Sequence, residues 1–258
     1  MSPAAPDPDT PPDAQPDPRA VRAAAANVAW CETVCRVHGT PGSLARGMWL
    51  AGGQPPTYYP DVVTLRPGTD AAEVARAVPH RDRASVKDSF GDVELGGLGF
   101  EVLFEAEWIW LEAGSPTAPT APTGVSTPTT PTGVSGAAVT GPTWAEVADA
   151  AALGEWAAGS GQSGTFLPAL LSDPAVRFLT AHAHGEVVGR AALCLGAGAV
   201  GVSNVWSGGP GVWATLGDEV ARLFPGHPMA GYEQGADLAE AVATGFAPVG
   251  PLRVWVRC

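Results

Sequence analysis

The stretch GYEQGADLAEAVATGFAPVGPLRVWV, residues 231–256, decides which fold the sequence predicts. An apolar run leads into Tyr232 and Glu233, a pattern typical of the end of a β-strand. The alanine-rich segment that follows has a helical pattern and stops at Gly245, because glycine is common just past a helix C-terminus. The apolar residues after Phe246 predict a final pair of strands. This stretch is therefore expected to form strand, helix, Gly-Phe and strands.

Two helical segments are predicted upstream of this stretch. Residues 143–159 read TWAEVADAAALGEWAAG and predict a helix. Thr143 stands at the N-cap position and Glu146 three residues later, which is the capping-box spacing. Residues 166–174, FLPALLSDP, predict a second and shorter helical piece.

Residues 176–206 predict two or three antiparallel strands, because apolar runs are separated by glycine-containing turns. The first turn is expected at 184–186 and the second at 196–198. Residues 211–224 then predict a helix that stops at Pro225. That helix is expected to bury its apolar stripe of Trp213, Leu216, Val220, Leu223 and Phe224.

This order of elements over residues 142–258 resembles the GCN5-related N-acetyltransferase (GNAT) family. The resemblance rests on FLTAHAHGEVVGRAAL at 178–193, VGVSNVWSGGPGVWATLGDEV at 200–220 and ADLAEAVATGF at 236–246. It implies an α/β (α+β) fold with a mixed, mostly antiparallel central sheet flanked by helices, beside a second, smaller α/β lobe.

The resemblance also implies a site for acetyl-CoA or another acyl-CoA. In this family a glycine loop and the following helix N-terminus present backbone N–H groups to the pyrophosphate, as helix N-termini do for anions. The implied cofactor-binding residues are Val205, Gly208, Gly209, Gly211, Val212 and Trp213. Two positions depart from the family pattern. Trp206 replaces the usual Arg or Gln, with no basic residue nearby in the sequence, and Ala241 replaces a frequent Tyr. A simple glycine turn before a helix is the alternative.

Three residues are predicted to be catalytic. Glu233, at the end of its strand, would act as general base on an ammonium substrate. Tyr232 would be the acid that Ala241 cannot be, and Asn204 would contact substrate or cofactor from the strand before the loop. The alternatives are an exposed Glu233, a packed Tyr232 and a satisfied buried amide at Asn204.

The chain is expected to divide into four parts. Residues 1–20 predict a disordered, acidic, proline-rich tail, and residues 114–141 a Pro/Thr/Gly-rich linker in which PTGVS occurs twice. Residues 21–113 would form an accessory lobe or a degenerate second copy of the GNAT-like unit. Residues 142–258 would form the acyltransferase domain. The lobe is a possible copy because GLGFEVLFEAEWIWL at 97–111 echoes the Gly-Phe and final strand of the C-terminal region.

Within the N-terminal lobe, residues 21–39 predict a helix and Asp70 with Glu73 predict the capped start of another. In GFEVLFEAEWIWL, residues 99–111, apolar residues at the even positions predict a half-buried strand. The same alternation would put Glu101, Glu105 and Glu107 on one face, either solvated or as an acidic rim for a cationic amine.

A C-x3-C-x2-H pattern occurs in the predicted first helix. Cys31, Cys35 and His38 would share one helix face, so a zinc site and simple core packing are both open, with packing favoured because the spacing is not that of a zinc finger. No metal site is therefore expected. Cys31, Cys35, Cys194 and Cys258 give no disulfide framework, which predicts a reduced, cytoplasmic protein.

The net charge of -12 in 258 residues argues against nucleic-acid and anionic-membrane partners. The sequence has no apolar run long enough for a membrane span and no apolar secretory leader. The function predicted is acyl-CoA-dependent N-acetylation of an amine on a small molecule or peptide, by direct attack on the thioester. A GNAT-fold binding or scaffold protein without an acyl-CoA site is the alternative, and other CoA or carrier-protein chemistry is a third possibility.

Overall fold

The computed structural model describes residues 15–115, 117 and 141–258. The part before the linker contains two helices and five strands, with a short 3-10 turn at Gly96–Leu98. In chain order they are α1 Pro18–Val37, β1 Ser43–Ala45, β2 Met48–Leu50, β3 Val62–Thr64, α2 Ala71–Ala77, β4 Ser85–Asp88 and β5 Phe100–Leu111.

The part after the linker contains three helices and six strands, with a 3-10 helix at Pro168–Ser172. In chain order they are β6 Thr143–Glu146, α3 Ala150–Gly159, β7 Val176–Ala183, β8 Glu186–Gly196, β9 Ala199–Ser207, α4 Val212–Leu223, β10 Met229–Glu233, α5 Gly235–Ala243 and β11 Ala247–Arg257.

All of these strands form one eleven-stranded sheet in the order β1-β2-β3-β4-β11-β5-β10-β9-β8-β7-β6. Only β3–β4 and β9–β10 pair in parallel, so the sheet is mixed and mostly antiparallel. The predicted fold class is confirmed. Both predicted hairpin turns are present. His184-Gly185 and Ala197-Gly198 have positive φ at both positions, as tight two-residue turns require.

The sheet interleaves the two predicted lobes. Strand β5 lies between β10 and β11, and β11 lies between β4 and β5. Each lobe therefore supplies a strand to the middle of the other, and neither closes a sheet of its own. The lobe boundaries at 21–113 and 142–258 stay a prediction, as does the origin of the first lobe as a second copy. Most of the predicted linker lies outside the described residues.

Helix α1 begins inside the segment predicted to be a disordered tail. It starts at Pro18, and the Asp17 carboxylate accepts a hydrogen bond from the Arg19 backbone N–H as an N-cap. The prediction was wrong for residues 18–20, because a capping aspartate followed by proline at the first helical position is itself a helix start. Residues 1–14 lie outside the described part of the chain.

The predicted capping box at Thr143 was wrong. Thr143–Glu146 is the edge strand β6, which pairs antiparallel with β7. Helix α3 starts later, where the Asp149 carboxylate accepts hydrogen bonds from the N–H groups of Ala151 and Ala152. At Asp70 the predicted cap is confirmed, because its side chain accepts from the Glu73 backbone N–H.

The even-position alternation of β5 is broken by a bulge. The register with β11 shifts between Phe104 and Val102, so that one extra residue of β5 is accommodated. Phe100 consequently packs in a different hydrophobic cluster from Ala106 and Trp108. The three glutamates of this strand therefore do not share one face as predicted. The predicted final strand pair was also wrong, because residues 247–257 form the single strand β11.

Helices cover both faces of the central sheet. On one side, which we call the α1 face, Ala20, Ala23 and Ala24 pack against Trp108 and Trp110. On the other side, the α4 face, the next residue of β5, Ile109, packs against Trp213 and Leu216 of α4. Alternate residues of β5 thus serve two separate cores. Val220 and Phe224 are buried as predicted, whereas Leu223 is only partly buried.

Candidate functional site

The sheet opens between β9 and β10. These neighbouring strands pair in parallel at only two positions, Met229 with Val200 and Ala230 with Gly201. Beyond them β9 continues to Ser207 and β10 to Glu233 without pairing with each other, although β9 stays paired with β8 and β10 with β5. The resulting gap, which we call the cleft, leaves backbone groups of two central strands available to a ligand.

A β-bulge shapes the β9 side of the cleft. Ser203 pairs with Ala192 and Trp206 with Arg190, so β9 places two residues opposite one residue of β8. Asn204 within this bulge has a φ of 54°, which asparagine tolerates better than most residues. Bulges commonly reorient a side chain beside a functional site. Here the bulge directs Asn204 into a small cavity on the α1 face.

This cavity brings together residues that are far apart in the sequence. Asn204 accepts a hydrogen bond from the Gln162 side chain, and the buried Tyr59 hydroxyl lies near it. Tyr232 and Lys87 belong to the polar part of the same lining. The predicted catalytic residues Asn204 and Tyr232 are therefore brought to one cavity.

Tyr232 is held in an aromatic cluster. Its ring packs edge-on to Trp108 with centroids 5.6 Å apart and stacks on Phe104 at 6.4 Å. The Lys87 ammonium lies 4.2 Å from the same ring centroid, within cation–π range. Lys87 also donates a 2.9 Å hydrogen bond to the Asn27 side-chain oxygen on α1.

Glu233 lies on the opposite face from Tyr232, so the predicted acid and base are not brought together. Consecutive strand residues point to opposite faces, and Glu233 lines a separate cavity of about 320 Å³ with Glu105 and Glu107. Glu107 is its partner residue on β5. Burial, with a smaller contribution from the Asp237 charge, raises the pKa of Glu233 to about 8. A carboxyl with this pKa can exchange a proton near neutral pH.

The predicted cofactor loop has an anion-binding geometry at its backbone. Helix α4 begins after Gly211, whose φ of 82° favours glycine. The N–H groups of Gly209, Gly211, Val212 and Trp213 have no protein partner among the described residues, whereas Gly208 donates to the Val188 carbonyl. Four of the predicted amides therefore have no described partner that a phosphate would have to displace, whereas Gly208 has one.

The side chains around this loop depart from a simple phosphate site. The Trp213 ring is buried edge-on to Phe246, with centroids 5.3 Å apart, so only its backbone can reach a ligand. Val205 packs against the same core. The Ser207 hydroxyl lies 3.0 Å from a carboxylate oxygen of Glu240 on α5, which places a negative charge beside the loop. Ala241, at the position of the missing tyrosine, is fully buried.

A basic residue does stand next to Trp206. The sequence offers none nearby, but Arg190 on the adjacent strand places its guanidinium 4.9 Å from the Trp206 ring centroid. That expectation was wrong, because strand pairing brings Arg190 opposite Trp206. The guanidinium also donates to the Gly159 carbonyl at the end of α3.

The cysteines of α1 are packed in a core. Cys31 and Cys35 are buried, and burial raises the pKa of the Cys31 thiol. His38 instead forms a 2.8 Å hydrogen bond with the Thr165 carbonyl. Within the described ranges, no group of three or more potential ligand residues has the arrangement of a metal site.

Sequence reasoning missed Tyr59, Lys87, Gln162 and Glu240. Lys87 stands on a four-residue strand, SVKD, whose alternation does not reveal that the lysine is buried. Tyr59 lies in the segment PPTYYP, residues 55–60, whose aromatic residues are interpreted as packing residues of the lobe. The signal available in the sequence was that Lys87 is the single lysine of the chain.

Two solved structures share this architecture across nearly the whole chain. A GCN5-related N-acetyltransferase from Kribbella flavida is 16% identical, with 90% of this chain and 95% of that chain covered and a TM-score of 0.54. A candidate acetyltransferase of the GNAT family from Novosphingobium aromaticivorans is 12% identical, with 89% and 99% covered and a TM-score of 0.52. No protein-family model and no curated protein matches the sequence.

The protein therefore has the fold of the GCN5-related N-acetyltransferases, as the sequence resemblance predicted. In the part of the chain that the structure describes, no helix is both long and apolar enough to cross a membrane.

Proposed function

We propose that the protein is an acyl-CoA-dependent N-acetyltransferase whose amine acceptor attacks the thioester directly. The acyl-CoA would enter the cleft between β9 and β10, with its pyrophosphate at the unpaired N–H groups of residues 209 and 211–213. The backbone near Val205, beside the bulge, would stabilise the oxyanion of the tetrahedral intermediate. Acetyl-CoA is the proposed acyl donor, and no metal takes part in this scheme.

The observation that carries this proposal is the coincidence of the cleft with the loop. The cleft opens where β9 passes Asn204, and the same strand leads within a few residues to a helix start with unpaired N–H groups. A helix N-terminus and a row of unpaired amides attract phosphate even without a basic side chain. A glycine turn that served only to start a helix would not need to follow directly from a strand that borders the cleft.

Proton transfer has two candidate groups on the α4 face. Glu233 holds a carboxyl with a pKa of about 8, so it can take a proton from an ammonium acceptor through water. The Ser207 hydroxyl, which donates to the Glu240 carboxylate, would relay a proton from water to the leaving thiolate. Tyr232, in its aromatic cluster on the other face, is better placed to position the acceptor.

A non-catalytic GNAT-fold binding protein is the second candidate, and the Ser207–Glu240 contact favours it. A carboxylate beside the loop opposes a pyrophosphate there, and neither Trp206 nor Ala241 supplies the family's usual side chain. The amides would then be a remnant of the fold.

Calorimetric titration of the purified protein with acetyl-CoA and with free CoA tests these candidates. Micromolar binding of acetyl-CoA, followed by acyl transfer to a member of an amine panel, is expected for the enzyme. A folded protein that binds neither compound would contradict the enzyme and leave the non-catalytic candidate.

A further inference from the structure

We infer that the acceptor carries a carboxylate, as an amino acid or a short peptide does, and that Lys87 binds this carboxylate. The inference rests on the proposed function for the role of the ligand as acceptor. It names the chemical class of a ligand for the α1-face cavity and a role for Lys87, to which the sequence pattern assigns none.

Lys87 is a buried cation with unused hydrogen-bonding capacity. Its residue is 5% exposed, and the ammonium makes one hydrogen bond, to Asn27, besides its contact with the Tyr232 ring. An ammonium has three N–H donors, and a buried charge is costly unless it is paired. Among the described residues no carboxylate forms an ion pair with Lys87. The ion-pair position beside Lys87 is therefore open to a ligand.

Lys87 faces accessible space. It lines the small cavity of about 80 Å³ that contains Asn204, and also an outer cavity of about 490 Å³ that opens from it. Tyr58, Tyr59 and Tyr232 line both cavities as well. The outer volume is in the range of small-molecule sites, which run from about 300 to about 1,000 Å³.

The charges around these cavities favour an anionic group. Carboxylates are missing from the described lining of the inner cavity. The outer lining contains Arg81 and Arg83 with Lys87, against one acid, Asp82. Because Arg81 already pairs with the buried Asp61 at 2.6 Å, the positive charge of this lining rests on Lys87 and Arg83. A net charge of -12 for the whole chain thus coexists with a locally cationic cavity.

The same cavities can place an amine at the cleft. Lys87 and Asn204 line the inner cavity together, and Asn204 belongs to the bulge beside the proposed thioester position. An acceptor whose carboxylate pairs with Lys87 can therefore direct its amine towards β9. The Tyr59 hydroxyl, which lines the same cavity, would provide a further donor for the carboxylate or for a peptide carbonyl.

The test compares each member of an amino-acid panel with its own C-terminal amide in acyl transfer from acetyl-CoA. The amide keeps the amine and side chain but lacks the charge. Wild-type protein is expected to prefer the best acid over its amide by at least tenfold in kcat/KM. Lys87→Met, which keeps the length of the apolar side chain, should lose that preference, and Lys87→Arg should keep part of it. Equal use of acids and amides by the wild type would overturn the inference while leaving the proposed function intact.

A binding measurement tests the carboxylate site separately from the proposed acetyltransferase function. N-acetylated amino acids and their amides are titrated into the protein without any CoA compound, with binding followed by ligand-detected NMR. Selective binding of the acids, lost in a Lys87→Met variant that keeps the wild-type circular dichroism spectrum, supports the carboxylate site even if acetyl-CoA does not bind. Binding of acids that is unchanged in Lys87→Met overturns it. Should Lys87→Met not fold, the acid-against-amide comparison on the wild type decides alone.

Discussion

The two faces of the sheet carry opposite charges where β9 and β10 separate. On the α1 face a buried lysine, three tyrosines and three side-chain amides surround a cavity that contains no described carboxylate. On the α4 face Glu233 stands opposite Glu107, and Glu240 contacts the loop before α4. Because adjacent residues of one strand supply both faces, a single central strand separates a cationic from an anionic environment. Although the net charge of the chain is -12, this distribution of charge favours an acceptor that carries a carboxylate beside its amine.

The largest effect is expected from placing a charge at the loop of the α4 face. Gly209→Glu should weaken acetyl-CoA binding at least about 30-fold, roughly 2 kcal/mol, because a carboxylate would stand where the pyrophosphate binds. The φ of Gly209 lies outside the region that favours glycine, and a Cβ at this position would lie 3.6 Å from Val188. The loop can therefore accept a side chain at residue 209. Gly209→Gln is the matched control, expected to bind within a few-fold of wild type. Equal weakening by both variants in calorimetry would show that bulk, not charge, matters.

Gly211 is a poorer position for the same experiment. Its left-handed backbone would be strained by any side chain, so a lost function there could arise from a distorted helix start.

A second comparison probes the bulge on the α1 face. Asn204→Ala should lower the free energy of unfolding by roughly 1–2 kcal/mol more than Asn204→Gly, because only glycine adopts the φ of 54° without cost. Both variants lose the contact with Gln162, and both should lose acyl transfer to a similar degree. Denaturant unfolding tests the predicted difference in stability, and kcat/KM tests the predicted loss of acyl transfer. Activity retained in Asn204→Gly alone would assign Asn204 a conformational role instead of a contact with the substrate.

Removing the carboxylate beside the loop should have a smaller and opposite effect. Glu240→Gln is expected to tighten acetyl-CoA binding about fivefold, about 1 kcal/mol, because a like charge near the pyrophosphate is removed while the Ser207 contact can persist. The measurement is the Kd from calorimetry at low and high salt, and the gain should shrink at high salt. A tighter Kd with a lower kcat would show that Glu240 supports the proton relay through Ser207. A weaker Kd at both salt concentrations would contradict the repulsion.

The last prediction concerns the pH dependence of stability instead of ligand binding. The pKa of Glu233 is raised by burial from its ordinary value of 4.5 to about 8, so the folded protein holds a proton that the unfolded chain has released. Stability from this group is present below the ordinary pKa and is lost as pH rises towards about 8. Denaturant midpoints of wild type should therefore fall relative to Glu233→Gln between these pH values. Parallel midpoint curves for the two proteins would show that Glu233 titrates normally.

Local signals were sufficient for much of the fold and failed where partners are distant. Asp70, the two hairpin turns and the end of α5 at Gly245 each act through neighbouring residues, and the sequence identified them. Thr143–Glu146 also carries a local helix signal, yet pairing with β7 makes it a strand. Cross-strand partners are not visible in a single sequence, so the tertiary environment overrode the local pattern.

The candidate site was only partly predictable for the same reason. Tyr232 and Asn204 could be placed because the fold resemblance assigns their strands. Lys87, Tyr59 and Gln162 come from segments whose relation to those strands depends on β5 and β11 crossing between the lobes. The separation of Tyr232 from Glu233 did follow from strand alternation, which should have excluded them as a cooperating pair.

The crossing of β5 and β11 also constrains the order of events during synthesis. Both neighbours of β5 in the sheet, β10 and β11, are made long after β5 itself has left the ribosome. Until then Trp108 and Trp110 belong to a strand with two open edges, which is the kind of segment that associates with other chains. The N-terminal half of the chain therefore cannot complete its fold until β10 and β11 have been synthesised. The yield of folded protein in cells should depend on chaperones that shield unpaired strand edges.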